Sequence, residues 1–326
     1  MKVAVVGATG AVGRTMLRLL EERLEEVDAV VPIASERSAG SQLRWRDREW
    51  EVRTPSDAAF EGCALALFSA GATVSAEWAP RAVEAGAVVV DNSSAWRQEP
   101  DVPLVVPEVN GDRIRDRPRG IIANPNCSTI QLVVPLAGLR AEAGLESVVV
   151  STYQSVSGAG QSGVDAWLAE RSGRTVESSP FPAPIDGNVI PRIGPLGEDG
   201  WTREETKMRV ETRKILALPD LPVAATCVRV PVEVGHAVVA RVELGQELEV
   251  DRATAALTDM PGVEVRDVSA GDPLPRSVAG ADGIVVGRLR RDPDRANVLH
   301  MWIVADNLRK GAATNAVQIG EVVLRG

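Results

Sequence analysis

Cys127 lies in the segment Asn124-Pro-Asn-Cys-Ser-Thr129, which joins an apolar run at 120–123 to an apolar segment at 130–139 that predicts a helix. The thiol is therefore expected on a strand-to-helix turn, where the dipole of the helix N-terminus favours the thiolate. A lone cysteine is more often a small buried hydrophobe. Polar turn residues flank this one on both sides, so we interpret Cys127 as a candidate nucleophile.

A histidine that acts as acid or base must be one of two, because the chain contains only His236 and His300. His300 lies within 297–304, whose apolar residues predict a buried strand, and we interpret it as structural. His236 follows a glycine after the apolar strand 227–232. His236 is therefore the candidate acid/base residue.

Gln154 follows the β-rich run 147–153 and precedes a glycine-containing turn. A carboxamide at a strand end can orient a reacting carbonyl, or it can cap the turn. Both interpretations remain open for Gln154.

Charged residues in apolar surroundings indicate anionic ligands. Arg229 alternates with valines in its predicted strand, so it needs an anionic partner, either structural or bound. Arg97 follows a strand at 87–90, at the edge where parallel sheets place their sites. The predicted helix 202–218 begins with the capping-box pattern T-x-x-E and carries one charged face: Glu204, Lys207, Glu211 and Lys214.

The first and second halves of this face are interpreted differently. Glu211 and Lys214 are expected to form solvated ion pairs. Lys207 lies near the helix N-terminus, where a cation opposes the dipole, so an anionic ligand would explain it. Glu204 lies in the same first turns and could serve the same polar pocket.

The N-terminal segment carries a nucleotide-binding pattern. An apolar strand at 1–6 is followed by Gly7, Gly10 and Gly13 and then by a helical segment at 14–23. Glycines between a strand and a helix let the backbone approach a pyrophosphate at the helix N-terminus. The spacing GxxGxxG is a variant of the usual pattern, and its placement between strand and helix makes it informative.

The end of the second predicted strand, 29–34, favours NADP as the cofactor. Ser35, Arg37 and Ser38 follow it, and two hydroxyls with a guanidinium suit a 2′-phosphate. Glu36 could instead accept the ribose hydroxyls, and Arg37 could be a surface charge. These alternatives remain open.

Composition narrows the class of protein. The chain has 326 residues, a hydrophobic content of 44% and a net charge of −9, which favours a two-domain globular protein and disfavours binding to nucleic acid or to an anionic membrane. No apolar run reaches the roughly 18 residues of a membrane helix. The first residues begin a strand and show no signal-peptide pattern. The three cysteines are an odd number and widely spaced, which favours a reducing, cytoplasmic location over a disulfide framework. No spacing typical of zinc ligands is present, so no metal site is expected. Cys63 and Cys227 are interpreted as core residues.

Several segments resemble the aspartate-semialdehyde dehydrogenase family, in the family's order and over nearly the whole chain. They are GATGAVG at 7–13, SERSAG at 35–40, DNSSAWR at 91–97, NPNCSTIQ at 124–131, YQSVSGAG at 153–160, EETKMRVETRKI at 204–215, RVPVEVGH at 229–236 and DNLRKGAATNAVQI at 306–319. The cysteine and histidine blocks are specific, whereas the glycine turn alone is not. Ser41 departs from the family, which often has a lysine there.

The resemblance implies NADPH-dependent reductive dephosphorylation of L-4-aspartyl phosphate, in the synthesis of lysine, diaminopimelate, methionine, threonine and isoleucine. It implies that Cys127 is the nucleophile, His236 the acid/base and Gln154 the residue that positions the acyl-enzyme. Arg229 would bind the substrate carboxylate and Glu204 its amino group, while Arg97 and Lys207 would bind phosphate. The expected cofactor contacts are Gly7, Thr9, Gly10, Ala11, Val12, Gly13, Ser35, Arg37, Ser38, Ser69, Gly71, Gly158, Asn307 and Gln318.

The expected fold is α/β. Alternating strands and helices predict a Rossmann-type, doubly wound nucleotide-binding domain at 1–127. The second domain, 128–305, is expected to be an α+β catalytic and dimerisation domain with a mixed sheet, and the family is homodimeric through it. The helix at 306–326, for which Asn307 is the predicted N-cap, is expected to return to the first domain. The Pro/Gly-rich stretch 172–200 is expected to be a functional loop or an interface cover.

Three alternatives fit the sequence less well than the family resemblance. A phosphorylating glyceraldehyde-type enzyme would have a different cysteine block. N-acetyl-glutamyl-phosphate reductase shares the thioester chemistry, but its cysteine block fits Asn126, Ser128 and Thr129 poorly. A catalytically inactive paralogue that serves as a binding partner would be expected to have lost Cys127, Gln154 or His236, and all three are present.

Overall fold

The computed structural model describes residues 1–326. The chain divides into two compact units: residues 1–126 with 312–326, and residues 127–311. The second boundary follows residue 311, not residue 305 as the sequence suggested. Asp306 and Asn307 stay with the second unit because they accept the backbone N–H groups of Gly280 (2.7 Å) and Gly235 (2.9 Å), respectively.

The first unit contains a five-stranded sheet. Its strands are β1 (Lys2–Val6), β2 (Ala29–Ile33), β5 (Leu65–Phe68), β6 (Val88–Asp91) and β7 (Ile121–Ala123), and a hairpin of β3 (Gln42–Trp45) and β4 (Arg48–Glu51) is separate. The spatial order is β2-β1-β5-β6-β7, and all neighbouring pairs are parallel. The helices are α1 (Ala11–Arg23), α2 (Asp57–Phe60), α3 (Ala72–Glu84), α4 (Pro107–Asn110) and α9 (Thr314–Arg325). The predicted parallel, Rossmann-type sheet is therefore confirmed.

The strand order of this unit contains a topological switch point, which is where sheets of this kind bind ligands. The direction of strand progression reverses between β1 and β5, and in such sheets ligands bind outside the carboxyl ends of the strands at this switch point. The strands are almost continuously apolar because both faces of a parallel sheet are buried. Helices α1 and α9 pack against each other and contribute to the core on one side.

The second unit is built on a six-stranded mixed sheet. Its strands are β8 (Ser147–Gln154), β9 (Val223–Arg229), β10 (His236–Glu243), β11 (Val263–Val265), β12 (Ile284–Arg291) and β13 (Val298–Ala305), in the order β11-β12-β13-β10-β8-β9. Its helices are α5 (Cys127–Ala143), α6 (Gln161–Arg171), α7 (Arg203–Ile215) and α8 (Val250–Thr258). The pairs β8/β9 and β11/β12 are parallel and the other pairs are antiparallel, so the predicted mixed sheet is confirmed.

One face of this sheet is open to solvent. Alternate residues of β8 are buried, whereas Val149 and Tyr153 between them are 45% and 36% exposed. The Tyr153 ring packs against that of Trp302 on β13, 5.5 Å between centroids. A period of two in burial is what a sheet with one covered face produces.

Two predicted elements differ from the structure. His236 does not end the strand that contains Arg229; it begins the next strand, β10, after a turn at 230–235. The final helix begins at Thr314 after a π-helical turn at Arg309–Ala313, so Asn307 is not its N-cap. Asp306 caps the preceding turn instead, since its Oδ1 accepts the N–H groups of Leu308 (2.8 Å) and Arg309 (3.0 Å). No helix of the structure is long and apolar enough to cross a membrane.

Candidate active site

Three of the predicted site residues meet at one edge of the second sheet. Strand β8 ends at Gln154, the parallel strand β9 ends beside it at Arg229, and the antiparallel strand β10 begins at His236. The register pairs Gln154 with Arg229 and Tyr153 with Ala237. The sheet topology therefore brings the amide of Gln154 beside a guanidinium and an imidazole that lie 75 and 82 residues further along the chain.

Cys127 is the first residue of α5, as the turn position predicted. It is half-buried, and the three cysteines of the chain form no disulfide. The returning segment passes closely over it: a Cβ on Gly311 would lie only 3.0 Å from Cβ of Cys127. The small residues near 311 thus let the backbone come close to Cys127. From the sequence, these small residues were expected to allow a close approach to a cofactor instead.

Gln154 and Lys207 both contact the Glu204 carboxylate. Gln154 donates its amide N–H to Oε1 (3.1 Å), and Lys207 donates to Oε2 (3.0 Å). Thr152 donates to the amide oxygen of Gln154 (3.0 Å), which fixes the orientation of that amide. Glu204 is 7% exposed, so this arrangement is a buried, oriented anion.

The helix that carries Glu204, α7, begins as predicted, but more of its residues are buried than the sequence suggested. Thr202 and Glu205 form a reciprocal capping box. Glu211, expected on a solvated face, is fully buried. The expectation was wrong because α7 packs against both β9 and α5 and leaves less of its surface to solvent.

Arg229 is 5% exposed and is held in place by several elements. It donates from Nη1 to the carbonyl of Ser155 (2.7 Å), and the ring of Phe181 lies 5.9 Å from its Cζ. Burial lowers the pKa of the guanidinium, while the negative charges of Glu204 and Cys127 act in the opposite direction. The backbone of Arg229 also pairs with Ile190 in both directions (2.9 and 2.8 Å), so the 172–200 stretch packs on this residue.

His236 is completely buried. Its Nδ1 lies 3.1 Å from the backbone nitrogen and 3.0 Å from the hydroxyl oxygen of Ser155. Burial first, and then the positive charge of Arg229, lower the pKa of His236 from its usual 6.5 to about 3. Its Nε2 is buried and has no hydrogen-bond partner within the chain.

Gly158 lies directly against these two side chains. A Cβ at this position would stand 2.7 Å from Nη1 of Arg229 and 3.0 Å from Nε2 of His236. The residue is a glycine because the two functional side chains occupy the space of a side chain. The sequence predicted Gly158 as a cofactor contact and gave no sign of this packing.

The glycine turn of the first unit has the shape that a dinucleotide needs. Gly7 has φ +88°, and a Cβ there would lie 2.5 Å from the carbonyl oxygen of Ser69, in the turn after β5. A Cβ on Gly13 would lie 2.1 Å from the carbonyl oxygen of Gly7. Gly10 is the N-cap of α1 and no side chain caps this helix end. The residues therefore fit a pyrophosphate at the N-terminus of α1.

The other predicted nucleotide contacts lie on the same unit. Ser35, Glu36 and Arg37 are exposed after β2, and Ser69 and Gly71 follow β5. Gln318 lies on α9 and donates to Glu108 (2.9 Å). Asn307 lies in the second unit, and its buried amide is engaged by Ser157 and Gly235.

Arg97 is buried in the segment that follows β6. It donates from Nη2 to the carbonyl of Asn92 (2.9 Å). Burial raises the pKa of the neighbouring Asp91, against two hydrogen bonds from Ser93 and the charge of Arg97. Asn124 bonds to Asn92 (2.6 Å) and accepts from Asn315 (2.7 Å), which ties the ends of β6 and β7 to α9 within the first unit.

Sequence reasoning missed residues that act behind the site. Ser155 contacts the imidazole, and Asn307 was predicted as a helix N-cap and a cofactor contact but not as a partner of Ser155. Ser155 carried no signal, because a serine after a strand is a common turn residue.

Cys63 and Cys227 are buried as predicted, and burial raises the pKa of Cys227 to about 12. His300 is half-buried beside Asp292 (2.7 Å) on β13. No group of three or more potential metal ligands is present.

Comparison with known proteins agrees with this architecture. The family model of the semialdehyde dehydrogenase NAD-binding domain matches residues 2–117, and that of the semialdehyde dehydrogenase dimerisation domain matches residues 136–310. The fold and the site thus define a semialdehyde dehydrogenase.

Individual relatives narrow the class further. The aspartate-semialdehyde dehydrogenase of Aquifex aeolicus is 48% identical over 99% of this chain and 98% of its own. The structure of aspartate semialdehyde dehydrogenase II from Vibrio cholerae complexed with ASA has a TM-score of 0.95 at 44% identity, covering 99% of this chain and 98% of that one. The Candida albicans enzyme with NADP has a TM-score of 0.77 at 27% identity, covering 99% and 98%. The chain belongs to the aspartate-semialdehyde dehydrogenase family.

Proposed function

We propose that the chain catalyses the reversible, NADPH-dependent reductive dephosphorylation of L-4-aspartyl phosphate to L-aspartate 4-semialdehyde and phosphate. The observation that carries this proposal is the pairing of a buried cation, Arg229, with a buried and oriented anion, Glu204, in the unit that begins at Cys127. A free amino acid presents a carboxylate and an ammonium group, and this pair complements both. The reaction supplies a step in the synthesis of lysine, diaminopimelate, methionine, threonine and isoleucine.

The chemistry assigned to the chain is nucleophilic catalysis. Cys127 attacks the acyl carbon, phosphate leaves, and a thioester forms on the sulfur. Gln154 is fixed by Thr152 and Glu204, so its amide can hold the acyl group in one orientation. His236 is the acid/base residue, as the family resemblance implies. Arg229 binds the substrate carboxylate, Glu204 binds the amino group, and Lys207 and Arg97 bind phosphate.

NADP supplies hydride transfer when it is bound. The proposed contacts are the 7–13 turn for the pyrophosphate and Ser35, Arg37 and Ser38 for the 2′-phosphate, with Ser69, Gly71, Gly158 and Gln318 as further contacts. Asn307, also expected from the sequence, is not proposed as a contact, because its buried side-chain amide is engaged by Gly235 and Ser157. The exposed hydroxyl of Ser35 and the exposed guanidinium of Arg37, with half-buried Ser38 beside them, support the 2′-phosphate assignment. The NADP complex of the Candida albicans relative supports the choice of cofactor.

The match of residues 136–310 to a dimerisation domain supports a homodimer. We place its interface on the open face of the second sheet, where Val149, Tyr153 and Trp302 form an apolar surface. A groove of about 270 Å³ lined by Val239, Leu274 and Trp302 continues this surface. A reactive thiol at Cys127 requires a reducing compartment, which supports a cytoplasmic location.

The test is an assay of the purified chain with aspartate semialdehyde and phosphate, with NADP and NAD supplied in turn. We expect phosphate-dependent reduction of NADP, and a loss of activity of at least about 10³-fold in Cys127→Ser with an unchanged fold by circular dichroism. Cys63→Ser, at a buried thiol outside the site, is the matched control and should stay active. Absence of turnover with either cofactor would refute the function, and a preference for NAD would refute the assignment of Ser35, Arg37 and Ser38.

A further inference from the structure

The guanidinium of Arg229 is a buried cation with one partner inside the chain. It is 5% exposed, and its hydrogen bond is the one that Nη1 donates to the carbonyl of Ser155 (2.7 Å). A guanidinium has five N–H donors, so most of them are left for a ligand. The proposed function supplies that ligand as the substrate carboxylate.

The aromatic ring of Phe181 lies over this guanidinium. The ring centroid is 5.9 Å from Cζ of Arg229, which is within the range of a cation–π contact. The ring also packs against α6, because a Cβ on Gly163 would stand 3.2 Å from Cζ of Phe181. The glycine at 163 therefore leaves the space that the half-buried ring occupies beside Arg229.

The backbone around Phe181 is constrained by its own sequence. Pro180 and Pro182 flank the residue, so φ of both prolines is fixed and Phe181 itself is restricted to extended backbone. The N–H of Phe181 donates to the hydroxyl of Ser179 (3.1 Å). The ring is thus carried on a stiff turn.

The same segment is attached to Arg229 at its other end. The backbone groups of Ile190 and Arg229 pair in both directions (2.9 and 2.8 Å). Between the two ends, Ile185 is completely buried, and its N–H donates to the Glu170 carboxylate on α6 (2.7 Å). The segment from Phe181 to Ile190 therefore lies against Arg229 with its ring at one end and its backbone at the other.

We propose that Phe181 is a positioning residue for substrate recognition: its ring covers the Arg229 guanidinium, keeps water from it and so strengthens its pairing with the carboxylate of an α-amino acid substrate. This inference rests on the proposed function for the identity of the ligand. It rests on the structure alone for the cover over the guanidinium.

The cover acts through hydration. A guanidinium in water must lose part of its hydration shell before it pairs with a carboxylate, whereas one that folding has already covered does not. The attraction between the two charges is also greater where less water surrounds them. The negative face of the ring offsets part of the cost of burying the cation. Without the ring, the guanidinium of Arg229 hydrates and the carboxylate binds more weakly.

Nuclear magnetic resonance of the full chain labelled with ¹⁵N-arginine tests the cover without turnover. Arg229→Lys identifies the Nε–H signal of Arg229 by its disappearance. We expect this N–H to exchange with solvent at least about tenfold faster in Phe181→Ala than in the wild type. Ile185→Val is the matched control, because it removes a buried methyl group from the same segment and leaves the ring; its exchange rate should stay at the wild-type value. Equal rates in the wild type and Phe181→Ala would overturn the cover.

Two aldehydes separate carboxylate recognition from a general structural role. 3-Aminopropanal has the carbon chain, aldehyde and amino group of aspartate semialdehyde but no carboxylate. In Phe181→Ala we expect kcat/KM for aspartate semialdehyde to fall by about three- to thirtyfold, mainly through KM, which is the range of one cation–π contact. The value for 3-aminopropanal, measured at high enzyme concentration, should stay unchanged. Equal falls for the two aldehydes would overturn the proposal, because a distorted site affects both alike.

Phe181→Leu keeps an apolar side chain at this position and should lose less than Phe181→Ala with aspartate semialdehyde. Equal losses in the two folded variants would contradict a covering role. Absence of turnover of aspartate semialdehyde by the wild type would refute the proposed function instead, and the exchange rate of the Arg229 N–H would still decide whether Phe181 covers the guanidinium.

Discussion

The absence of a Cβ at Gly158 leaves the space that the side chains of Arg229 and His236 occupy. A methyl group at this position would meet Nη1 of Arg229 at 2.7 Å and Nε2 of His236 at 3.0 Å. The guanidinium can move because it is at the end of a flexible chain. The imidazole cannot move easily, because Ser155 holds its other side.

We therefore expect Gly158→Ala to reduce kcat/KM for aspartate semialdehyde by about 10²-fold, the usual effect of a displacement of roughly 1 Å at reacting groups. Gly111→Ala is the matched control, since its nearest contact would be Pro107 at 4.0 Å. Steady-state kinetics with both variants checks this. Equal and small effects in the two variants would show that Gly158 does not crowd the site.

Sequence alone predicted the candidate reactive residues better than the residues that contact them. Cys127, Gln154 and His236 could be proposed because each is a polar residue at the end of an apolar segment, and both features are local in the chain. Ser155 and Gly311 could not be found, because their roles depend on contacts between segments that lie far apart. Asn307 was wrongly predicted as a helix cap because Asp306 beside it makes the turn contacts.

At the scale of elements, the segment 306–311 links strand β13 to the site. Asn307 fixes Gly235 and Ser155, while Gly311 passes over Cys127. The same segment was predicted as the start of the final helix, with Asn307 as its N-cap. The small and polar residues of this segment suggested a cofactor contact. A sequence shows that such residues permit a close approach, but it does not show whether a cofactor or another part of the same chain lies against them.

Asn307→Ala separates the two roles that Asn307 has been given. Loss of the amide leaves the buried N–H of Gly235 without a partner, which costs about 1–3 kcal/mol of unfolding free energy. We expect kcat to fall while the affinity for NADP stays unchanged, because the side chain acts through His236. Asn297→Ala, which removes one bond to Leu244 (2.9 Å), is the control. Weaker NADP binding with unchanged kcat would instead favour a cofactor contact.

The 172–200 stretch packs on Arg229 and contributes to a small core, and its composition did not predict either contact. Ile185 and Ile190 are buried with Trp167 and Val156 in a small core. The carboxylate of Glu170 accepts the N–H of Ile185 (2.7 Å), which anchors the stretch to α6. Irregular backbone has no hydrophobic period, so sequence could predict a functional or covering loop but not its contact with Arg229.

For the whole molecule, the fold of the first unit was more predictable than that of the second. Parallel strands alternate with helices along the chain, so sequence order nearly gives spatial order. In the second unit the strand order is β11-β12-β13-β10-β8-β9. Pairings such as β8 with β9, which are separated by two helices and a long irregular stretch, depend on contacts that no local pattern encodes.

The open face of the second sheet leads to a prediction about assembly. Val149→Arg places a charge in the proposed interface, where an unpaired charge is costly to bury. We expect it to shift the homodimer towards monomer at micromolar concentration in sedimentation velocity. Leu168→Arg on α6 is the control, because Leu168 and Val149 are both 45% exposed. An unchanged dimer with Val149→Arg would exclude this part of the face from the interface.

The buried, neutral His236 also links stability to pH. Its pKa is about 3 in the folded chain and 6.5 when unfolded, so between these values the unfolded chain binds the additional proton. Stability from this group is fully present above pH 6.5 and is lost as pH falls towards 3, with a slope of at most about 1.4 kcal/mol per pH unit.

Urea unfolding of the wild type and His236→Gln at pH 7, 6 and 5 isolates this contribution, because carboxylates titrate alike in both chains and cancel in the difference. We expect the free energy of unfolding of the wild type to fall relative to that of the variant as pH is lowered. The direction follows from burial beside Arg229, the same surroundings that keep the ring neutral. A difference that stays constant over this range would mean that folded His236 takes up a proton as readily as an exposed histidine.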